Sequence, residues 1–495
     1  KRDDNDTARG TATARFVSGP ESATALEPVT FALELRPDLI TLAVAERFAG
    51  ELQIPNGGSL GFSLVLADVD GELFGAIDIP AQGIRGLALE CTMNGDALVL
   101  ALPVPSPASM TLTRNGDTLE GTFQQGPMTL PISFEKGEME FKVVRPPRPQ
   151  EPTLPFPYDV ADLTIATRAG HELAGTLSMP RIRPVEGAPF VVLVSGSGAQ
   201  NRDEELMNHK PFLVLADRLA RAGIASFRYD DRGVYGSTGN FALATTPDFA
   251  HDAMSMLEHF RSDPRIAPLR SGIMGHSEGG IVAAIAGSGQ APGFEDTRPP
   301  AFIVMLAGTG VSGADVLKEQ MKQLLRAEGV DEGVIAEIYE AQSAVLDGVV
   351  ENVSEEVLRA LVAELTTRQL AMNGILEATS QEARDLGVNQ AITQITSPWM
   401  DSFIRYDPGV ALRACNLPVL AINGTLDRQV WHNQNLPAIK EAVTSAGGEI
   451  TILRVPGLNH LLQPATTGAV SEYESIETTL DEGVLEQIIE WINKR

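Results

Sequence analysis

The chain has 495 residues and a mass of 52.9 kDa, which exceeds the roughly 100–200 residues of one ordinary domain, so two or three domains are expected. Hydrophobic residues make up 43% and charged residues 21%, and these proportions exclude a wholly disordered or fibrous chain. The formal net charge of −27 repels phosphate backbones, so nucleic acid is not an expected partner.

Three features of the sequence limit the kinds of site and the cellular location that we expect. Cys91 and Cys415 are its two cysteines and fall in different predicted domains, so neither a disulfide framework nor a Cys-based metal site is expected. No stretch reaches the roughly 18 apolar residues of a membrane helix, so no membrane span is expected. The sequence begins at Lys1 without a methionine, which favours a secreted or periplasmic protein whose signal peptide has been removed and leaves a cytoplasmic location open. Oligomeric state is left open.

The first third of the chain has the pattern of an all-β domain. Residues 1–30 are polar without periodicity and are predicted to form a loose N-terminal segment. Residues 31–144 contain short apolar runs separated by turn dipeptides such as Asn94-Gly95 and Asn115-Gly116. Asn-Gly supplies the positive φ of tight hairpin turns. An antiparallel meander or barrel-like domain is therefore predicted over 31–144.

Residues 145–157 are rich in proline and are predicted to be a linker, because proline cannot pair in a sheet. After the linker, apolar strands alternate with amphipathic helices over 158–310 and 397–495, which predicts a mostly parallel sheet with helices on both faces. The strands are predicted at 163–167, 172–177, 190–194, 225–229, 272–274, 301–306, 418–422 and 449–454 and the helices at 211–221, 247–261 and 484–492. Residues 311–396 contain helix formers and no strand pattern, so a helical cap is predicted there.

A candidate nucleophile follows the predicted strand at 272–274. Ser277 is the third residue of a G-x-S-x-G pentapeptide that begins at Gly275 and ends at Gly279. Glycines on both sides of the serine permit the sharp strand-to-helix turn that exposes its hydroxyl at the carboxyl edge of the sheet. An ordinary turn between a strand and a helix is the alternative interpretation.

Two candidate partners of Ser277 follow later strands, and they give the chain order serine, aspartate, histidine that is typical of hydrolases with this elbow. Asp427 comes after the strand at 418–422 and His460 after the strand at 449–454. A serine hydroxyl needs an imidazole to accept its proton and a carboxylate to hold the imidazole in the correct tautomer, which predicts a catalytic Ser277, Asp427 and His460. Asp401 and Asp407 are rival acids, but they precede the strand at 418–422.

The oxyanion of a tetrahedral intermediate requires two N–H donors, one of them from the residue after the nucleophile. Glu278 occupies that position, and the second donor is expected from Ser197, or from Gly198 next to it, after the strand at 190–194. Charged residues at 201–203 and 230–232 lie at the same predicted edge. An ion-pair network that braces the loops explains them better than substrate contact.

Two further patterns are interpreted as structural. Residues 308–313 match G-x-G-x-x-G, but no strand with a ribose-binding acid follows, so the glycines are expected to form a tight exit from the sheet rather than a nucleotide site. His251 and His259 lie on one predicted helix without a third ligand. Neither a metal nor a cofactor is expected.

Several motifs in order resemble the bacterial α/β-hydrolase esterases of the EstD type and, more distantly, the prolyl-oligopeptidase-like hydrolases. They lie at 195–203, 227–239, 275–280, 397–399, 423–427 and 456–460. The resemblance covers roughly residues 155–495, and the β-rich region resembles the N-terminal domain often fused to these esterases. The resemblance implies a metal-free carboxylesterase with a Ser-Asp-His triad. Tyr235 departs from the family pattern, in which a small or basic residue is expected before Gly236 and Ser237.

The predicted function is therefore a serine carboxylesterase that hydrolyses short-chain acyl or aryl esters, with a small-molecule ester as substrate. A serine peptidase or an acyltransferase with the same triad is the alternative, because the shape of the cap, and not the triad, decides which type of substrate bond is cleaved. A non-enzymatic glycan- or wall-binding role is disfavoured by the three candidate triad residues. Trp399, at the return from the cap, is predicted to line the substrate pocket or to pack the cap onto the sheet.

Overall fold

The structure is a computed structural model. The residues that it describes form two compact units. The described residues are 46–54, 58–69, 72–79, 84–102, 108–125, 128–137, 146–377 and 379–495, so the loose segment predicted at 1–30 lies outside them. The first unit contains the described residues up to 137 together with 363–391, and the second contains 146–362 and 392–495.

The first unit contains a closed barrel of eight antiparallel strands. In chain order they are β1 (Glu46–Ile54), β2 (Gly58–Val69), β3 (Glu72–Ile79), β4 (Ile84–Asn94), β5 (Ala97–Leu102), β6 (Ala108–Asn115), β7 (Thr118–Gln125) and β8 (Met128–Lys136). β1 pairs with β8, with Phe48 opposite Lys136, and this pairing closes the barrel. Gly95 and Gly116 both have φ of 64° at the turns after β4 and β6, as their Asn-Gly dipeptides predict. The predicted all-β domain is confirmed.

Alternating side chains fill the interior of the barrel. β5 alternates buried and half-buried residues along its length, which is the period of two expected when one face of a strand packs inward. Phe48, Phe62 and Phe134 are almost fully buried among aliphatic side chains of the other strands. An eight-stranded barrel is about wide enough for its own side chains to fill it.

The second unit is built on an eight-stranded sheet with the order β16-β15-β14-β13-β11-β12-β10-β9. The strands are β9 (Asp159–Ala166), β10 (Glu172–Met179), β11 (Ala188–Val194), β12 (Ala225–Tyr229), β13 (Ile266–His276), β14 (Ile303–Leu306), β15 (Val419–Gly424) and β16 (Ile450–Val455). β9 and β10 are antiparallel, and the pairs from β12 to β16 are parallel. The mostly parallel sheet is confirmed.

Helices cover both faces of this sheet. On one face lie α2 (Thr246–Arg261), α3 (Glu278–Gly287), α9 (Pro408–Ala414) and α10 (His432–Ser445), and on the other α1 (Pro211–Arg221) and α11 (Glu482–Asn493). Strand β11 shows the division, since Phe190 and Val192 pack into the first layer and Val191 and Leu193 into the second. Because both faces of the strand are covered, it is apolar throughout.

A helical insertion separates β14 from β15. It contains α4 (Gly313–Ala327), α5 (Glu332–Val350), α6 (Glu355–Met372), α7 (Gln381–Ile395) and α8 (Pro398–Arg405). Helices α4, α5 and α8 pack against one another. Across the described segments, no helix combines the length and the apolar character needed to cross a membrane.

Candidate active site

Ser277 occupies a sharp turn between β13 and α3. It has φ of 54° and ψ of −118°, a conformation that non-glycine residues rarely adopt and that surrounding structure must hold in place. Its backbone N–H donates to the carbonyl of Leu306 at 2.8 Å, which ties the turn to the end of the neighbouring strand. The turn has the form of a nucleophile elbow.

The glycines beside Ser277 are required by close backbone contacts. A Cβ on Gly275 would lie 1.8 Å from the carbonyl oxygen of Gly279, and a Cβ on Gly279 would lie 2.4 Å from that of Val194. Since both clashes involve backbone atoms, no larger side chain fits without moving the turn. The pentapeptide pattern thus has a steric cause.

Asp427 and His460, from the loops after β15 and β16, lie in direct contact. His460 Nδ1 and Asp427 Oδ2 are 2.9 Å apart, and both side chains are buried. The other carboxylate oxygen, Oδ1, accepts the backbone N–H groups of Gln429 at 2.9 Å and Val430 at 2.8 Å. Three donors therefore satisfy a carboxylate that has no exposure to solvent, and they fix its orientation.

The rival acids have other partners. Asp401 forms an ion pair with Arg405 at 2.9 Å on helix α8, and Asp407 caps α9 by accepting the N–H of Gly409 at 2.8 Å. The structure thus brings Asp427, and neither rival, to His460.

His276, inside the elbow, links the nucleophile turn to the loop of His460. Its Nε2 donates to the backbone carbonyl of His460 at 3.0 Å, and its Nδ1 lies 2.9 Å from Oε1 of Glu204. Both ring nitrogens face acceptors, so the protonated imidazole satisfies both contacts. Burial lowers the pKa of His276, but the charge and hydrogen bond of Glu204 outweigh burial, and the net pKa is raised. Sequence reasoning missed both residues.

The loop after β11 lies directly against the elbow. A Cβ on Gly196 would come within 3.2 Å of the Cβ of Ser277. Of the neighbouring amides, those of Gly196 and Gln200 donate to carboxylate oxygens at 2.7 and 2.9 Å. Among the described residues, the N–H groups of Ser197 and Gly198 have no acceptor, so both predicted candidates remain available to a ligand.

Glu278 begins helix α3, and its N–H is one of the helix-terminal amides that lack an intrahelical acceptor. Its side chain is buried and accepts hydrogen bonds from Ser197, Thr246 and Trp399. Burial raises the pKa of the Glu278 carboxyl, against the opposing effect of those hydrogen bonds.

Trp399 lies on α8, half-buried, with its indole N–H 3.0 Å from each oxygen of the Glu278 carboxyl. Its ring also stacks on Phe403, with the ring centroids 6.0 Å apart. The side chain therefore packs against its own helix while its polar edge reaches the residue after Ser277.

Ion pairs brace the surrounding loops. Arg202 bonds both oxygens of Asp230 at 3.1 and 2.8 Å, and Arg228 pairs with Asp203 at 2.7 Å. These contacts agree with a bracing role. Asp231 is buried, and burial raises the pKa of its carboxyl well above the usual range.

The glycines of the 308–313 motif pack against helices. A Cβ on Gly310 would lie 2.5 Å from the carbonyl oxygen of Asn435 on α10, and one on Gly313 would lie 2.0 Å from that of Phe403 on α8. These contacts agree with a tight exit from the sheet into the helical insertion.

The chain is similar to known hydrolases. Residues 209–325, which include Ser277, match the family described as serine aminopeptidase, S33. Esterase EstD from Thermotoga maritima is 22% identical over 342 residues, which cover 69% of this chain and 69% of EstD.

Two solved esterase structures were also matched. Pyrococcus furiosus esterase Pf2001 gives a TM-score of 0.40 at 13% identity and covers 72% of this chain and 99% of its own. Est1E from Butyrivibrio proteoclasticus, solved with ferulic acid bound, gives 0.36 at 12% identity and covers 67% and 96%. With the similarity to EstD, the matched serine hydrolase family and the α/β sheet together, the chain is a serine hydrolase of the α/β-hydrolase fold.

Proposed function

We propose that this serine hydrolase is a carboxylesterase that cleaves short-chain acyl or aryl esters through an acyl-enzyme intermediate, with Ser277, His460 and Asp427 as its catalytic triad. The observation that carries the proposal is the 2.9 Å contact between His460 Nδ1 and the buried Asp427 carboxylate. It occurs at the carboxyl edge of the sheet where Ser277 occupies its positive-φ turn.

In the proposed first half-reaction, Ser277 Oγ attacks the ester carbonyl carbon while His460 Nε2 accepts the hydroxyl proton. Asp427 holds Nδ1–H, which leaves Nε2 free to act as the base, and it stabilises the imidazolium that forms. Collapse of the tetrahedral intermediate breaks the bond to the alcohol oxygen, and His460 returns the proton to the departing alcohol. The acyl group remains on Ser277.

In the second half-reaction, His460 takes a proton from water and the resulting hydroxide equivalent attacks the acyl-enzyme carbonyl. The carboxylic acid departs and Ser277 Oγ regains its proton. In both halves the developing oxyanion is bound by the N–H of Glu278 and by that of Ser197 or Gly198. Donors fixed in place before the reaction lower its barrier because they need no reorganisation as charge develops.

The proposal is tested with p-nitrophenyl acetate under pre-steady-state conditions. A burst of p-nitrophenol with an amplitude equal to the enzyme concentration is expected, followed by slower turnover. A fluorophosphonate should add its phosphonyl group to the peptide that contains Ser277, as read by mass spectrometry.

Ser277→Ala should abolish both the burst and the label, with a loss of about 10⁴-fold or more in rate. Ser288→Ala is the matched control, because Ser288 lies at the other end of α3, where its hydroxyl donates to the carbonyl of Ile285. If Ser277→Ala retains more than a tenth of the activity of the parent, the assignment of the nucleophile is wrong.

A peptidase is the second candidate, and the similarity of residues 209–325 to the serine aminopeptidase family favours it. The same triad can cleave amides, so the comparison is made with p-nitrophenyl esters of increasing chain length and aminoacyl p-nitroanilides. A kcat/KM for the best anilide that equals or exceeds that for the best ester would replace the esterase proposal with the peptidase.

A further inference from the structure

We propose that the side chain of Glu278 is a positioning residue that fixes the two backbone donors of the oxyanion hole relative to each other. This inference rests on the proposed function, since it concerns the hole in which the ester oxyanion would bind. It assigns a role to the carboxyl group, in addition to the backbone N–H of the same residue.

The carboxyl of Glu278 joins three separate segments of the chain. Oε2 accepts the hydroxyl of Ser197 at 2.9 Å, from the loop after β11, and Oε1 accepts that of Thr246 at 2.6 Å, from the first residue of α2. The indole N–H of Trp399 on α8 lies 3.0 Å from both oxygens. The contacts span 81, 32 and 121 residues of sequence.

The contact with Ser197 connects the two sides of the proposed hole directly. One donor is the N–H of Glu278 itself, and the other belongs to Ser197 or to the adjacent Gly198. The bond between the two side chains therefore sets the distance between the two backbone amides. Donors must lie about 2.7–3.1 Å from the oxyanion, and displacements of roughly 0.5 Å are enough to weaken a site of this kind.

Other buried carboxylates anchor the same loop from outside the elbow. Glu204 accepts the N–H of Gly196, and Asp231 accepts that of Gln200. Glu278 differs because it anchors the loop from the first residue after the nucleophile. Burial raises the pKa of this carboxyl, and burying an ionisable group is unfavourable unless hydrogen bonds compensate. An apolar side chain would pack at this position with a smaller free-energy cost, so packing alone does not account for the carboxyl group.

The test compares Ser197→Ala with Ser195→Ala. Both serines lie in the same loop and each donates its hydroxyl to a buried carboxylate, Ser197 to Glu278 at 2.9 Å and Ser195 to Asp231 at 3.0 Å. Only the first bond reaches the elbow. Because Ser197 is exposed, its substitution should leave folding intact.

Ser197→Ala should lower kcat by about 10-fold to 100-fold with little change in KM, below the roughly 10²–10³-fold loss for removal of a whole oxyanion donor. The affinity for phenylboronic acid, which forms a tetrahedral adduct on the serine, should fall by a similar factor. Ser195→Ala should keep both values within about threefold of the parent, because the hydroxyl that it removes is bonded to Asp231 and not to the residue after the nucleophile.

Glu278→Gln supplies a second, independent readout, because its amide retains the size of the side chain. The effects of Glu278→Gln and Ser197→Ala on kcat should be non-additive, as expected for groups that act through one contact. The kcat of the double variant should lie within about threefold of that of the slower single variant. Additive effects, or equal losses in Ser195→Ala and Ser197→Ala, would overturn the role of Glu278. If Glu278→Gln fails to fold, the serine pair decides.

The outcome for Ser277→Ala keeps this inference separate from the proposed function. Loss of activity in Ser277→Ala, with parent-like kcat and boronate affinity in Ser197→Ala, would overturn the inference alone. Activity in Ser277→Ala would overturn the proposed function itself.

Discussion

The proposed triad is tested most sharply by Asp427→Asn, because the surroundings of that carboxylate fix how an amide would sit. Oδ1 accepts two backbone N–H groups, from Gln429 and Val430, so the oxygen of an asparagine should occupy the Oδ1 position. Its NH₂ group then takes the Oδ2 position and faces Nδ1 of His460. Nδ1 must become an acceptor, and the imidazole proton moves to Nε2, where the base is needed.

The size of the effect follows from this change of tautomer. His460 with a proton on Nε2 cannot accept the proton of Ser277, and a loss of about 10⁴-fold in kcat at neutral pH is expected. That factor corresponds to about 5.5 kcal/mol of transition-state stabilisation. Since both backbone bonds to position 427 are retained, the free energy of unfolding should fall by only about 1 kcal/mol.

The assay measures kcat and KM on p-nitrophenyl acetate together with the urea midpoint of each variant. Asp401→Asn is the control, because Asp401 is a partly exposed rival whose partner is Arg405, and its activity should stay within about threefold of the parent. The reasoning is refuted if Asp427→Asn retains more than a tenth of the kcat, or if Asp401→Asn is the more damaging change.

Three other substitutions have expected outcomes. Asp231→Asn should raise the melting temperature at neutral pH. The pKa of this carboxyl is raised in the folded protein, so the free energy of unfolding falls as the pH rises above about 4, the pKa of the unfolded chain. Asparagine does not titrate and should flatten that part of the pH–stability profile, and an unchanged slope would contradict the prediction. Gly279→Ala should greatly reduce folded yield and activity, because its Cβ would lie 2.4 Å from a backbone oxygen. Gly287→Ala on the same helix should be much less damaging, because its Cβ would lie 3.2 Å or more from side-chain atoms, which can shift, and not against the backbone. Trp399→Ala should shift chain-length preference among p-nitrophenyl esters if the ring lines the pocket, and a lower melting temperature with unchanged preference would assign it to packing.

The parts of the fold that the sequence predicts are those with local causes. The nucleophile turn needs glycines at fixed positions, and the apolar strands of the second sheet are buried on both faces, so each leaves a pattern a few residues long. Strand β13 shows the limit. It was predicted at 272–274 but spans Ile266–His276, because Pro268 obscures its first half, which pairs with the start of β11 beyond a register shift at Ala188.

The contacts that the sequence could not predict are those between distant side chains. His276 lies inside the elbow, yet its side chain binds Glu204, 72 residues earlier, and the backbone of His460, 184 residues later. Trp399 was predicted from its position at the return of the insertion, but nothing in the sequence pairs its indole N–H with Glu278. Such contacts depend on which loops the sheet order brings together, and no local pattern records that order.

The sheet order also explains why His276 matters for the position of His460. β13, which ends in the elbow, and β16, which precedes His460, are separated by β14 and β15. Neighbouring strands lie about 4.8 Å apart, so the loop of His460 must cross roughly 14 Å to approach Ser277. The bond from His276 Nε2 to the His460 carbonyl fixes the far end of that crossing to the elbow itself. The glycine after β14 has a separate role in packing, because a Cβ on Gly280 of α3 would lie 2.9 Å from the Cα of Gly308. The hydrogen bond of His276 thus holds the loop of His460 against the turn that contains Ser277.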